Sequence, residues 1–278
     1  MCPNRPGGTH LAEAAHTEAG DPSKEAAIDI ANPSGRGGIV LVCEHASNFI
    51  PADLGTLGLD DDALQSHIAW DPGALAVAGA MAAALDAPLI APRMSRLVYD
   101  CNRSLETPSA VPEVSEAFVI PGNAGLSPAD RKTRADRVYT PFRDALNATI
   151  EARLDEGRRP VLVSIHSFTP VYNGVVRDME LGILHGTDAR FADALLAAAE
   201  ERGNMEVRRN EPYGPEDGVA FTLTEHAVRR GLLNALIEIR NDLIADGAAQ
   251  QAMAERLSGY VTEACRRTLP MSRIAQQT

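Results

Sequence analysis

Basic charge is in short supply in this chain of 278 residues: Lys and Arg number 26 against 38 Asp and Glu, a formal net charge of −12. Such a field disfavours phosphate backbones and anionic bilayers, so neither a nucleic acid nor a membrane is an expected partner. A small anionic substrate is still admissible, because a local basic pocket overrides the global field. Cysteine is also sparse. Cys2, Cys43, Cys101 and Cys265 form no CxxC pair and suggest no disulfide framework, which fits a reducing cytoplasm. No run approaches the roughly 18 apolar residues of a membrane span, and the N-terminus lacks the charged start and apolar core of a secretory signal. GxGxxG, Walker and GxSxG motifs are missing, as are the paired cysteine ligands of a zinc deaminase. Nicotinamide, ATP-driven and serine-hydrolase chemistry therefore have little support.

What is present is the pattern of one globular domain. Residues 1–36 are rich in Gly, Pro, Ala and acid and read as a flexible tail. Residues 37–270 form a single domain, and 271–278 a short C-terminal tail. Apolar runs at GIVLVCEH, Pro88–Ala91, Val161–Phe168, Met179–Gly186 and Leu232–Asp242 predict buried strands, with a further strand and turn in MEVRRNEPY. Between them, helices are predicted over Asp71–Leu85, with Asp71 as N-cap and Pro72 at the first helical position, and over Ser127–Gly157 as one long helix. Its Val138, Phe142, Leu146 and Ile150 should face the core. Further helices follow at Ala189–Arg202, in the later part of GVAFTLTEHAVRRG, and at Ala248–Thr268. Strands alternating with helices predict a three-layer α/β fold around a mostly parallel, mixed sheet, with ligands at the carboxyl ends of the strands.

Three of those strands end in ionisable residues. His45 and His166 each follow an apolar run. One such histidine is most often structural, but two at neighbouring strand ends can converge on a metal or on acid–base work. Asp71 is either a plain helix cap or a third ligand. With His45 and His166 it would complete the His and carboxylate set of a catalytic zinc site with one open position. Glu238, inside the apolar run IEIRND, is either half of a buried ion pair with Arg240 or a histidine, or a general base. SRLVYDCNR gathers Arg96, Asp100, Asn102 and Arg103, which suits carboxylate recognition, a structural Arg–Asp bridge, or both. His226 is a candidate oxyanion donor or an ordinary helix residue. His67 stands close to Asp71 and could support it, and Trp70 is expected to pack beneath the site. His10, His16 and His185 have no such context.

EHASNFIP, HIAWDPGA, SRLVYDCNR, SIHSFTP and ALIEIRNDLI occur here in the order seen in N-formylglutamate amidohydrolases, and the chain resembles that family from about Gly38 to about Leu243. The resemblance implies a fold similar to zinc-dependent exopeptidases, His45, Asp71 and His166 as metal ligands, and Glu238 as base. It also implies Arg96 and Arg103, with Asn102 beside them, as holders of a substrate carboxylate. The activity it implies is metal-dependent hydrolysis of a small anionic N-acyl amino acid, with N-formyl-L-glutamate first and another N-acyl amino acid or peptide-like amide as the alternative. A metal or ligand binder without turnover is the reading from a different class. Where the family pattern has proline before the first histidine, this chain has Glu44, which is either an alternative ligand to Asp71 or a partner of the ligands.

Overall fold

The computed structural model describes residues 26–268. In chain order the elements are β1 (Ile28–Ala31), β2 (Ile39–Val42), α1 (Asp61–Gln65), α2 (Ala74–Ala84) and β3 (Leu89–Pro92). A small hairpin of β4 (Val114–Ser115) and β5 (Phe118–Val119) precedes α3 (Pro128–Arg137), α4 (Tyr139–Asp155) and β6 (Val161–Phe168). A second hairpin, β7 (Val171–Tyr172) and β8 (Val175–Val176), leads to β9 (Leu181–Leu184), α5 (Arg190–Arg202), β10 (Val207–Arg209), β11 (Asn234–Arg240) and α6 (Gly247–Thr268).

Seven strands build one mixed sheet in the order β1-β3-β2-β6-β11-β9-β10. β3, β2, β6 and β11 run parallel, while β1, β9 and β10 run the other way. Every residue of β6 is buried, as a central strand covered on both faces must be. Side-chain alternation sorts the sheet residues between two cores. Leu41, Val163 and Ile237 pack with α2, α5 and α6. Val42, Leu162 and Leu236 pack on the opposite face with α4 through Val138, Phe142, Leu146 and Ile150. The three-layer α/β architecture is as the alternation of elements predicts. No helix among the described residues is long and apolar enough to cross a membrane.

Four local features differ from expectation. Residues 28–31, assigned to a tail by composition, form β1 and pair antiparallel with β3 at the sheet edge. The long helix is broken at Val138 (φ −115°, ψ −59°), because Pro141, in the first turn of α4, has no N–H to continue the ladder. Ser127 caps α3 in a reciprocal box with Asp130. The segment around His226 makes a π-helical turn over Leu223–Ala227, and a short 3-10 turn follows. Asp71 does not cap α2: the cap position belongs to Gly73 in a left-handed conformation (φ +80°), which releases the Asp71 side chain. Residues 1–25 and the C-terminal 271–278 lie outside the described residues.

Gly73 carries a constraint that α2 and the Asp71 turn share. A Cβ there would lie 2.6 Å from the Ile244 carbonyl oxygen, on a backbone that L-residues rarely adopt. Gly73→Ala should destabilise the protein by at least about 1–2 kcal/mol, read as a melting temperature lower by several degrees. An unchanged melting temperature would show that this turn is not strained.

Candidate active site

The parallel strands deliver three donors to one point. The chain leaving β2 carries Glu44 and His45, β6 carries His166 near its end, and Asp71 is tied in by its N–H to the His45 carbonyl (2.9 Å). His45 Nδ1 lies 3.3 Å from Asp71 Oδ2, His166 Nδ1 lies 2.7 Å from the same oxygen, and the two Nδ1 atoms are 3.1 Å apart. All three residues are buried. The Ser167 N–H also donates to Asp71 Oδ2 (3.3 Å), and Ser167 Oγ donates to the Pro72 carbonyl, so the turn and the strand end are locked together.

Each imidazole turns its other nitrogen to a carboxylate. His45 Nε2 is 2.7 Å from Asp100 Oδ1. Asp100 also takes Arg96 Nη2 (2.9 Å) and the Asn102 N–H (2.9 Å). His166 Nε2 is 3.2 Å from Glu44 Oε2, an ion-pair distance without hydrogen-bond alignment, while that oxygen accepts from Ser164 Oγ (2.7 Å). Burial by itself would raise the Asp71, Asp100 and Glu44 carboxyls, but the two imidazoles, with Arg96 beside Asp100, outweigh it and hold all three below the ordinary range. Burial likewise opposes a charge on His166, yet Glu44 and Asp71 hold that imidazole well above its usual value. The cluster is rich in carboxylate and draws positive charge to its centre.

Glu238 behaves differently. It sits beside His166 in the sheet register, with Oε2 buried and unpartnered. Burial pushes its carboxyl up to about 7, with Asp71 adding to the effect against the two histidines and Arg96. Arg240 does not pair with it: that guanidinium reaches Asp242 and the carbonyls of Asp178 and Met179.

A cavity of about 510 Å³ opens over these groups, lined by His45, Asp71, His166 and Glu238 among others. Arg96, Asn102, Arg103 and His67 are on its wall. Arg96 is committed to Asp100 and, at 3.5 Å, to Asp71. Asn102 clamps the loop to the chain after Gly218, donating to the Val219 carbonyl (2.6 Å) and accepting from the Thr222 N–H (3.0 Å). His67 pairs with Glu116 in the turn between β4 and β5. His226, the candidate oxyanion donor, is not among the residues that line this cavity. It is buried on the α4 side with Nδ1 on Asn147 Oδ1 (2.9 Å), and burial lowers it to about 4. Trp70 packs against a small cluster of Leu57, Ile68 and Leu97, of which Ile68 lines the cavity.

Sequence reasoning missed part of the wall. Tyr172 and Arg177 come from the β7–β8 hairpin, and Tyr213 from the segment after β10. β9 runs antiparallel to β11, so the chain entering it lies at the carboxyl edge of the parallel strands, and the hairpin lies there too. Tyr213 returns to the site because Gly182, paired with Glu238, has no Cβ to collide with the Glu211 carbonyl crossing it. Asn173-Gly174, both at positive φ, is a hairpin signal readable in the sequence. The Gly182 crossing has no such signal.

The donor set fits a divalent cation. Two ligands about 2.0–2.1 Å from one tetrahedral ion lie about 3.3 Å apart, close to the separations among His45 Nδ1, Asp71 Oδ2 and His166 Nδ1. His, Asp and His is a donor group that could hold a metal. The carboxylates behind the imidazoles are the supports that metal-binding histidines commonly have. Such a site at the carboxyl edge of an α/β sheet, with a buried glutamate beside it, has the parts that a hydrolase needs to polarise a carbonyl and move a proton. Over residues 37–245 the chain matches the N-formylglutamate amidohydrolase family, and it belongs to that family. A gene product of Agrobacterium tumefaciens whose crystal structure is known is 51% identical, with a TM-score of 0.87 over 89% of this chain and 98% of its own. The N-formylglutamate amidohydrolase of Ralstonia eutropha JMP134 is 21% identical, with a TM-score of 0.58 over 87% of this chain and 99% of its own, and shares the fold. A search of curated proteins found no match.

The Glu238 carboxyl makes stability depend on pH. Its folded value of about 7 lies above the ordinary 4.5, so its contribution is fully present below pH 4.5 and is lost as pH rises through 7. Glu238→Gln cannot ionise. In metal-free protein, wild type should therefore lose stability relative to Glu238→Gln between pH 5 and pH 8.5, by on the order of 1–3 kcal/mol in denaturant melts. Parallel pH dependence of the two proteins would contradict the raised value.

Proposed function

We propose that the protein hydrolyses the amide bond of a small N-acyl amino acid in a metal-dependent reaction, with N-formyl-L-glutamate, cleaved to formate and L-glutamate, as first substrate. The observation that carries this is the convergence of His45 Nδ1, Asp71 Oδ2 and His166 Nδ1 beside the unpartnered Glu238 oxygen in one cavity. Those three residues would hold the ion, and an N,N,O set suits zinc. Glu44 and Asp100 then keep the imidazoles oriented through their Nε2 atoms. A divalent ion held there polarises a carbonyl oxygen and acidifies a water.

Glu238 does the proton work. A carboxyl near neutrality can take a proton at Oε2 from the attacking water and return it to the departing amine. The buried surroundings that raise it also strengthen its interaction with charge developing nearby. The free, buried thiols of Cys43, Cys101 and Cys265 favour a reducing compartment, which we take to be the cytoplasm. The cavity, at about 510 Å³, lies within the range that accepts drug-sized ligands. That breadth favours a second reading, in which the acyl group is larger than formyl.

Formate release from N-formyl-L-glutamate by purified, metal-analysed protein tests this directly. Release that stops with chelator and returns with zinc is expected. Absence of release with metal bound would move the substrate to another N-acyl compound. Glu238→Gln should keep its metal and lose roughly 100- to 10,000-fold in turnover; full activity would remove Glu238 from the proton transfer. Asp100→Asn, which takes away the charge behind His45, should weaken zinc about 10- to 100-fold in a competition titration. Unaltered affinity would mean that His45 does not depend on Asp100.

A further inference from the structure

Three arginines line the cavity, and their surroundings divide them. Arg96 is paired with Asp100 and Asp71. Arg103 uses Nη1 on the carbonyls of Asn102 and Gly218. Arg177 is placed by the hairpin. Its N–H donates to the Pro170 carbonyl (2.8 Å) at the hairpin base, where Val171 pairs with Val176. Its guanidinium carbon lies 4.4 Å from the Tyr172 ring centroid, 4.8 Å from that of Tyr213 and 5.8 Å from that of Phe168. Nη1 donates to Tyr213 Oη (3.2 Å). Among the described residues no carboxylate lies within ion-pair distance of it.

These contacts fix the guanidinium without neutralising it. Rings within about 6 Å favour the cation, and the stack limits the rotamers that a ligand would otherwise have to freeze. Among the described residues four of its five N–H donors have no protein acceptor, since only Nη1 makes a side-chain hydrogen bond. A planar fork of donors matches a carboxylate. A half-buried cation with no anion is a costly arrangement that a bound carboxylate offsets.

We propose that Arg177, cradled by Tyr172 and Tyr213, receives a carboxylate of the substrate's amino-acid half and makes that carboxylate a requirement for binding. The assignment rests on the N-acyl amino acid reading above and moves carboxylate recognition from SRLVYDCNR to the β7–β8 hairpin. Arg96 is left as a positioning residue that holds Asp100 against His45. A glutamate half offers two carboxylates of the same chemistry, and the substrates below separate them.

The test uses the full chain with its metal content measured, as wild type, Arg177→Gln and Arg177→Lys. Glutarate binding is followed by calorimetry. Turnover is followed on N-formyl-L-glutamate, on N-formyl-L-glutamine and on the α-amide of N-formyl-L-glutamate. Arg177→Gln should weaken glutarate and raise KM for N-formyl-L-glutamate roughly 10- to 100-fold, with kcat, metal content and melting temperature little changed. Arg177→Lys, which keeps the charge and loses the fork, should recover part of the affinity. The preference of wild type for N-formyl-L-glutamate over one of the two amides should collapse in Arg177→Gln, and that amide identifies the carboxylate. Unchanged glutarate affinity and KM in Arg177→Gln overturn the assignment, as does a loss of kcat alone or a wild type that binds no glutarate. If wild type turns over none of the three substrates while Arg177→Gln still weakens glutarate, N-formyl-L-glutamate is ruled out as the substrate and the Arg177 assignment stands.

Discussion

The constraint on which the structure depends is the burial of four carboxylates, Glu44, Asp71, Asp100 and Glu238, each no more than 5% exposed, around two imidazoles. A buried ion costs several kcal/mol unless geometry and hydrogen bonds compensate it. Compensation here is unequal. Asp71 and Asp100 have imidazole, guanidinium and backbone donors, and Glu44 has Ser164 and His166. Glu44 too has one buried oxygen without a partner, but no hydrogen bond reaches either oxygen of Glu238 among the described residues, and Glu238 is the carboxyl pushed towards neutrality. Unequal compensation turns four chemically similar groups into one that accepts protons near neutral pH and three that stay ionised.

The architecture around the cluster follows from that need. Parallel β2, β6 and β11 put Glu44, His166 and Glu238 at the same edge of the sheet, and the register sets His166 directly beside Glu238. Gly73 lets the chain turn into α2 while the Asp71 side chain points the other way. Gly182 lets the segment after β10 cross the sheet and return Tyr213 to the cavity. Both glycines are needed for backbone geometry, and both act on the site through the side chains that they release or deliver.

The arginines divide the remaining electrostatic work. One guanidinium paired with two buried carboxylates supports the histidine side of the cluster. Another, held between aromatic rings on the cavity wall, has no anionic partner among the described residues. A chain with a net charge of −12 thus presents a local positive group where an anionic ligand would enter. The acidic composition describes the field at a distance, whereas close contact is governed by single unscreened charges.

Much of this was legible in the sequence. Apolar runs ending in Glu44-His45, His166 and Glu238 gave the strands, and their common direction followed from the alternation with helices. Phe142, Leu146 and Ile150, with Val138 just before them, gave the buried face of α4, and Ser127 gave the cap of α3. These are local properties, set by side-chain period and backbone preference, and a sequence carries them directly. The break at Val138, the edge strand β1, the freeing of Asp71 from a capping role, the retreat of His226 behind the cavity wall and the arrival of Arg177 and Tyr213 were decided by tertiary structure alone. Each depends on which backbone lies against which after the sheet has assembled. A contact between residues far apart in the chain leaves no periodic trace in either segment.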